Sequence, residues 1–113
     1  MPVPNSDSAY VPPVKLSDYL LDEQHPTGGS KAIWFRSLGY ETASPAVLEQ
    51  DLLKQLQASE NYTMKSSPFG IKYVVAGKIS APNGVQANVT TVWIIEPPDD
   101  RPRLVTAYPG VKP

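Results

Sequence analysis

The centre of the predicted sheet lies in two stretches, Val85-Gln-Ala-Asn-Val-Thr-Thr-Val-Trp-Ile-Ile-Glu96 and Arg103-Leu-Val-Thr-Ala-Tyr108. In the first stretch, β-branched and aromatic residues alternate, so its odd-numbered side chains would share one face of a strand. Residues 97–102 between them, Pro-Pro-Asp-Asp-Arg-Pro, can neither pair as strand nor continue a helix. We therefore expect two antiparallel strands, joined by a loop, at the centre of a sheet.

A third strand is expected over residues 71–79, where Tyr73, Val75 and Ile79 share a face. Gly77 within it suits a β-bulge. The turn at residues 82–84, Pro-Asn-Gly, would connect this strand to the central one. Residues 61–68 are polar and predict a loop. A fourth, edge strand would come either from residues 62–65 or from the N-terminal arm.

Three helical segments are predicted before the strands. The first covers residues 15–22, with an apolar stripe formed by Leu16, Tyr19 and Leu20. The second covers residues 31–38. We expect Ser30 to cap its N-terminus and Gly39 to stop its C-terminus.

The third helix is expected to start at Pro45, with Ser44 as its N-cap, and to end near residue 59 or 60. Its apolar face is predicted to consist of Val47, Leu48, Leu52 and Leu56, with Ala58 as a further candidate. Helices followed by strands indicate an α+β fold, with N-terminal helices packed on an antiparallel meander of three or four strands. Residues 1–14 are rich in proline and predict an extended arm, pinned by Tyr10 and Val11, and residues 15–113 a single domain.

The composition excludes several classes of site. The 113 residues contain 10 basic and 11 acidic side chains, so a strongly basic duplex binder is excluded and any nucleic-acid contact must be local. With no cysteine and one histidine, thiol sites and paired-imidazole sites are excluded, and no metal or other cofactor is expected. No apolar run is long enough for a membrane helix, and no signal peptide is recognisable. These observations favour a cytoplasmic protein or a domain cut from a larger one.

The loop before the second helix is the first candidate site. His25 titrates near neutral pH and can act as a general base or acid. Lys31 lies at the start of a helix, where backbone N–H groups favour an anion. The alternative is structural: His25 caps the first helix, and Gly28 and Gly29 only turn the chain.

Hydroxyl groups on the last two strands are the second candidate site. Thr90 or Thr91, together with Thr106 and Tyr108, would lie within reach of one another on neighbouring strands. They are suited to binding phosphate oxygens. The alternative is that threonine is simply a good strand residue and that Tyr108 is half-buried.

Two further groups of residues have structural alternatives. Arg101, Arg103 and Lys112 suggest a local basic edge, or an edge strand kept soluble by charge. Trp34 and Trp93 are expected in the core.

Several stretches together resemble a family of small bacterial domains of the DUF type. They are residues 20–40, which include the His25 loop, residues 70–75, 82–84 and 91–93, and residues 103–109, Arg-Leu-Val-Thr-Ala-Tyr-Pro. The resemblance covers nearly the whole chain from about residue 15 onward. The layout also resembles the BECR superfamily, which includes barnase, EndoU, colicin and RelE-type nucleases. Many of those proteins are RNase toxins that work without a metal.

The BECR resemblance implies a set of roles. His25 would be the base, Lys31 would neutralise the phosphate, and Thr106 and Tyr108 would orient it. Thr91 and Arg103 would bind substrate, and Tyr108 or Lys31 would protonate the leaving oxygen, since there is no second histidine. RNA and a small cognate antitoxin or immunity protein are the implied partners.

The leading hypothesis is therefore a metal-independent RNase-like toxin domain from a toxin–antitoxin or polymorphic toxin system. The alternative is a non-catalytic interaction module, or an immunity or antitoxin protein, that binds a partner through its sheet edge or its arm.

Overall fold

The fold is α+β, as expected, with helices packed on one antiparallel sheet. A computed structural model describes residues 2–16, 21, 24 and 29–110. The elements are a 3-10 helix (Ser6–Ser8), α1 (Pro13–Lys15), α2 (Gly29–Ser37), α3 (Pro45–Ala58), β1 (Tyr62–Ser67), β2 (Gly70–Ser80), β3 (Gln86–Ile95) and β4 (Arg103–Pro109).

The four strands form a meander in the order β1-β2-β3-β4, with every neighbouring pair antiparallel. The prediction that β3 and β4 both lie at the centre is wrong for β4, which lies at an edge. Its first residues are covered by the N-terminal arm. The Tyr10 N–H donates to the Pro102 carbonyl at 3.0 Å, and the Tyr10 carbonyl accepts from the Leu104 N–H at 3.1 Å.

The prediction of a loop over residues 61–68 is wrong, because β1 occupies most of that stretch. It pairs with β2 from Tyr62 opposite Val75 to Ser67 opposite Gly70. Since β1 is an edge strand with little burial, the sequence can be polar there without penalty. The alternative, an edge strand at residues 62–65, is the correct one.

The two faces of the sheet follow from the register, because residues directly opposite one another share a face. The face toward α3, called the core face, carries Tyr73, Val75, Ile79, Ala87, Val89, Thr91, Trp93, Leu104 and Ala107, all of which are buried. Both tryptophans belong to the core, as expected. Trp93 is fully buried, and Trp34 is a partly buried residue packed against the core cluster.

Gly77 does not form the predicted bulge, since the β2–β3 register is regular through it. The bulge lies in β4, where Val105 is inserted opposite the step between Val92 and Trp93. Gly77 instead makes room for a helix side chain. A Cβ atom at this position would lie 3.1 Å from the Gln55 Nε2 atom.

Helix α3 packs its buried residues Leu48, Leu52, Gln55 and Leu56 against the sheet. Pro45 is at its first turn and Ser44 is its N-cap residue, as predicted, although the Ser44 side chain makes no capping hydrogen bond. Val47, predicted for the apolar face, is 43% exposed. The buried stripe continues through Gln55 instead, because its amide has polar partners inside the core.

Helix α2 begins at Gly29, so Ser30 lies within its first turn and is not the predicted N-cap. Helix ends are commonly displaced by one or two residues from sequence signals. The predicted stop is confirmed, since Gly39 has a φ of 101°. The Asn83 N–H, from the β2–β3 turn, then donates to the Leu38 carbonyl at 3.1 Å.

The N-terminal arm packs on the body of the domain. Val3 and Val11 are buried, and the chain forms a 3-10 turn between them. The predicted first helix at residues 15–22 falls mostly outside the described residues, as do Tyr19 and Leu20. Leu16 of its predicted stripe is buried.

Candidate functional site

The face of the sheet opposite α3, called the outer face, carries most of the predicted site. Its residues are Thr63 and Lys65 on β1, Lys72, Val74, Ala76 and Lys78 on β2, Asn88, Thr90, Val92 and Ile94 on β3, and Arg103, Thr106 and Tyr108 on β4. They alternate with the core-face residues along each strand. The face therefore combines cations, hydroxyls and a short apolar strip.

Lys31, Thr106 and Tyr108 lie together at the β4 edge of the outer face. The Lys31 Nζ atom donates to the Thr106 Oγ1 atom at 3.2 Å, across 75 positions of sequence. The same ammonium lies 5.8 Å from the centroid of the Tyr108 ring, within cation–π range. All three side chains are partly buried. Three of the four predicted catalytic residues thus meet, one from a helix and two from a strand, and we call them the Lys31 cluster.

Arg103 lies on the same strand and the same face as the cluster. Its cross-strand partner Ile94 is two residues from Val92, the partner of Thr106, so the two positions are about 7 Å apart. The Arg103 Nε and NH2 groups both donate to Glu96 Oε1, at 3.0 and 2.6 Å. Both side chains are about one-third exposed, at 31% and 39%, which leaves the guanidinium accessible to an anion.

Thr91, predicted to bind substrate, lies on the core face and is fully buried. Its hydroxyl donates to Gln55 Oε1 at 2.9 Å and accepts from Trp93 Nε1 at 2.8 Å. The structure therefore does not bring Thr91 to the Lys31 cluster. Thr90 is on the outer face, but it is buried and donates to the Gly110 carbonyl at 2.6 Å.

His25, the predicted general base, lies outside the described residues. Described residues flank it at Gln24 and Gly29, five positions apart in a chain that then enters α2. Lys31, two residues into that helix, extends its side chain to Thr106 on β4. The position of the imidazole relative to Thr106 stays a prediction.

The sequence analysis missed three cations of the outer face. Lys65 is directly opposite Lys72, and Lys78 follows Lys72 on β2 at an even spacing. With Lys31 and Arg103, they make five of the ten basic residues of the chain. The even spacing of Lys72 and Lys78 against the odd-numbered core residues was the signal available. It identifies a face only after the strand itself is assigned.

Arg101, expected at a basic edge, is bound elsewhere. Its Nε group donates to the Ser8 carbonyl at 2.9 Å, and its guanidinium lies 4.3 Å from the centroid of the Tyr10 ring. Arg101 therefore fastens the β3–β4 loop to the N-terminal arm. Lys112 lies outside the described residues.

The family model described as Domain of unknown function (DUF6883) matches residues 2–111. The chain belongs to this family. The resemblance to a DUF-type domain is therefore confirmed. No curated protein matches the DUF6883 chain in sequence.

The DUF6883 fold is similar to a solved structure described as a contact-dependent growth inhibition toxin–immunity protein complex from Klebsiella pneumoniae 342. The match has a TM-score of 0.73 and covers 97% of this chain and 100% of that chain. The sequences are 18% identical, so the likeness is one of fold.

Two features are absent from the described part of the DUF6883 domain. No three His, Asp or Glu side chains there are grouped to hold a metal ion. None of the helices described is long and apolar enough to cross a membrane.

A cleft of about 440 Å³ separates α3 from the second half of β2 in the DUF6883 domain. It is lined on the helix side by Asp51, Lys54, Gln55, Ala58 and Ser59, and on the strand side by Gly77, Lys78, Ile79 and Ser80. Because β1 pairs with β2 only as far as Val75, the β2 edge along this cleft is not covered by β1.

Proposed function

We propose that this domain is an RNase-like toxin domain that binds and cleaves RNA at the Lys31 cluster. The observation that carries the proposal is the 3.2 Å hydrogen bond from Lys31 to Thr106, with Tyr108 beside the same ammonium. A cation and two hydroxyl side chains that converge from separate elements are suited to hold a phosphodiester.

RNA supplies its own nucleophile in this mechanism. The 2′-hydroxyl attacks the adjacent phosphorus and loses its proton to His25, the proposed base. The phosphorus–O5′ bond breaks, and the departing O5′ takes a proton from Tyr108 or Lys31. The products are a 2′,3′-cyclic phosphate and a free 5′-hydroxyl. Lys31 and Thr106 would stabilise the extra negative charge on the non-bridging oxygens in the transition state.

The distribution of charge supports RNA as the substrate. The chain has a formal net charge of −1, yet Lys31, Lys65, Lys72, Lys78 and Arg103 lie on or reach one face of the sheet. Such local concentration of cations attracts a polyanion even where the net charge does not.

A toxin or immunity role is supported by the structural neighbour, which is described as a contact-dependent growth inhibition toxin–immunity protein complex. Of these two roles, we propose the toxin. By analogy, a small cognate immunity or antitoxin protein would hold this domain inactive. Such a protein would act either by covering the outer face or by binding elsewhere and changing it.

Induced expression in bacteria, combined with cleavage of a fluorescent RNA by the purified protein, tests the proposal. We expect the wild type to arrest growth and to cleave the RNA, and we expect His25→Ala and Lys31→Ala to do neither. Arg36→Ala, at an exposed position of the same helix as Lys31, is the matched control for loss of one positive charge and should remain fully active. A 2′-deoxy residue at the cleavage position should block the reaction. Full activity of His25→Ala would disprove the mechanism.

The second candidate function is partner binding without catalysis, and the α3–β2 cleft favours it. The backbone groups of Ala76 point away from β3 and are already bonded. Its carbonyl accepts a hydrogen bond from the Ser59 hydroxyl, and its N–H donates to the Asn61 carbonyl. By strand alternation, Lys78 presents its N–H and carbonyl in the same direction, where β1 no longer extends. An extended partner segment could pair there by strand addition. Two results together would favour this function. The folded wild-type protein would neither arrest growth nor cleave RNA, and it would form a stable complex with a partner protein that Lys78→Pro prevents.

A further inference from the structure

Three cations lie in one straight row across the outer face. The register places Lys65 opposite Lys72, Lys72 opposite Ile94, and Ile94 opposite Arg103. Neighbouring strands are about 4.8 Å apart, so the row from β1 to β4 is about 14 Å long. We call Lys65, Lys72 and Arg103 the cation row. It runs parallel to the next row of the outer face, which consists of Thr63, Val74, Val92 and Thr106. That row ends at Thr106 in the Lys31 cluster.

The β1–β2 end of the row combines two like charges. Directly opposed side chains of the same charge destabilise a sheet. Lys65 is exposed and Lys72 is half-buried, and the described residues offer neither an ion pair nor a hydrogen-bonded partner for either ammonium. The fold thus keeps an uncompensated repulsion at this position, which a bound anion would relieve.

Glu96 is the carboxylate that the described structure places at the row. It follows the last residue of β3, diagonal to Lys72 on the outer face, and its carboxylate is bound to Arg103 of β4. The β1–β2 end therefore has two positive charges without an ion-pair partner among the described residues, whereas the β4 end is partly neutralised. An anion would be held most strongly at Lys65 and Lys72.

We propose that the cation row is a subsite for the sugar-phosphate backbone of single-stranded RNA, which crosses the strands from the Lys31 cluster toward β1. The cation row would bind the part of the RNA beyond the phosphodiester that is cleaved at the Lys31 cluster, so this inference rests on the proposed function. Its length exceeds one nucleotide, so it would bind several phosphates and make affinity depend on RNA length. The half-buried Val74 and Val92, in the next row, provide an apolar floor for bases, which an acidic protein segment would not need.

Binding of a 2′-O-methyl RNA tests the row separately from catalysis, because that RNA lacks the 2′-hydroxyl nucleophile. Fluorescence anisotropy with a labelled strand of about 12 nucleotides would be measured over a range of salt concentrations. The slope of log K against log salt should fall in magnitude by about 1.4 in Lys65→Ala/Lys72→Ala, since each lost phosphate contact contributes about 0.7. Arg36→Ala, at an exposed position of α2 outside the Lys31 cluster and the cation row, is the control and should retain the wild-type slope.

Thermal unfolding of Lys72→Glu gives a second, opposite readout. This variant replaces the Lys65–Lys72 repulsion by an attraction, so its melting temperature without RNA should be higher than that of the wild type. Its affinity for the RNA should nevertheless be lower. A purely structural role for Lys72 would change stability and binding in the same direction.

Two results would overturn the proposal. One is an unchanged salt slope in the folded double variant. The other is equally tight binding of poly-glutamate at the same salt concentration, which would indicate a general anion surface.

Failure of the row and failure of the proposed function are distinguishable. A protein that binds 2′-O-methyl RNA through Lys65 and Lys72 but cleaves no RNA retains the row and loses the catalytic proposal. If the double variant still cleaves a dinucleotide at the wild-type rate and its salt slope is unchanged, the cation row fails as a subsite and the catalytic proposal stands.

Discussion

The Thr91 hydroxyl donates a hydrogen bond to the Gln55 side-chain oxygen at 2.9 Å in the interior of the protein, joining β3 to α3. The amide nitrogen of Gln55 donates to the Val75 and Val89 carbonyls, both at 3.2 Å. Trp93 completes the network by donating to Thr91. Every buried side-chain polar atom of the described residues has a partner. The hydrogen bonds therefore offset the cost of burying these polar groups between the helix and the sheet.

Gln55→Ala should lower the free energy of unfolding by about 2–4 kcal/mol, because it leaves the Thr91 hydroxyl without its acceptor and opens a cavity. Urea denaturation would measure the change. Gln50→Ala, at an exposed position of the same helix, is the matched control and should change stability by less than about 0.5 kcal/mol. Equal effects at the two positions would contradict the role of the network.

Gly77→Ala should destabilise the protein by about 1–3 kcal/mol, since the new methyl group would lie 3.1 Å from Gln55 Nε2 and 3.2 Å from its Cγ. The loss should be smaller in a Gln55→Ala background, where the obstructing side chain is gone. Denaturation of the two single variants and the double variant forms a double-mutant cycle. Additive effects would show that Gly77 is required for another reason.

Tyr40→Phe should alter the dependence of stability on pH. Burial raises the pKa of Tyr40, and its 2.7 Å hydrogen bond to Asp51 Oδ2 raises the pKa further. Above about pH 10 the unfolded chain releases this proton while the folded protein keeps it, so wild-type stability falls as pH rises.

The contribution of one such proton is a slope of up to about 1.4 kcal/mol per pH unit. Tyr40→Phe should lose this contribution and decline less steeply above pH 10. The contribution of Tyr73, whose pKa burial also raises, should remain. Parallel stability curves for wild type and variant between about pH 9 and 11 would refute the prediction.

Glu96→Gln should strengthen RNA binding, because it releases the Arg103 guanidinium from its carboxylate partner. The variant should bind the 2′-O-methyl RNA more tightly than the wild type and show a steeper salt dependence. Its stability should change by no more than about 1 kcal/mol, since the ion pair is partly exposed. Asp99→Asn, in the neighbouring exposed loop, is the control; an equal gain there would show that net charge alone sets the affinity.

The strands were predictable because the β-branched residues of β3 alternate, and because residues 82–84 form a recognisable turn. The observed turn has a Gly84 φ of 89°, and the Val85 N–H donates to the Asn83 side chain at 3.0 Å. Local signals also located α3, through Pro45 and its buried leucines. Each of these signals depends on neighbouring residues alone.

For residues 61–68 the sequence left two alternatives open, a loop or an edge strand at residues 62–65. Local signals could not separate them, because pairing with β2 creates β1 and its own side chains are mostly exposed. The roles of Gly77 and Gln55 were hidden for a similar reason. A glycine in a strand and a glutamine in a helix each have many explanations. Their contact depends on how α3 packs on the sheet.

The α+β class, the meander and the residue types suited to phosphate chemistry at Lys31, Thr106 and Tyr108 could all be predicted from the order of the amino acids. Periodicity and turn chemistry are properties of short segments, so they can be read along the chain. Three facts required the folded structure: Lys31 meets Thr106 across 75 positions, Thr91 is buried in the core, and Lys65, Lys72 and Arg103 form a row. Those facts depend on strand register and helix packing, which bring together residues that no local pattern relates.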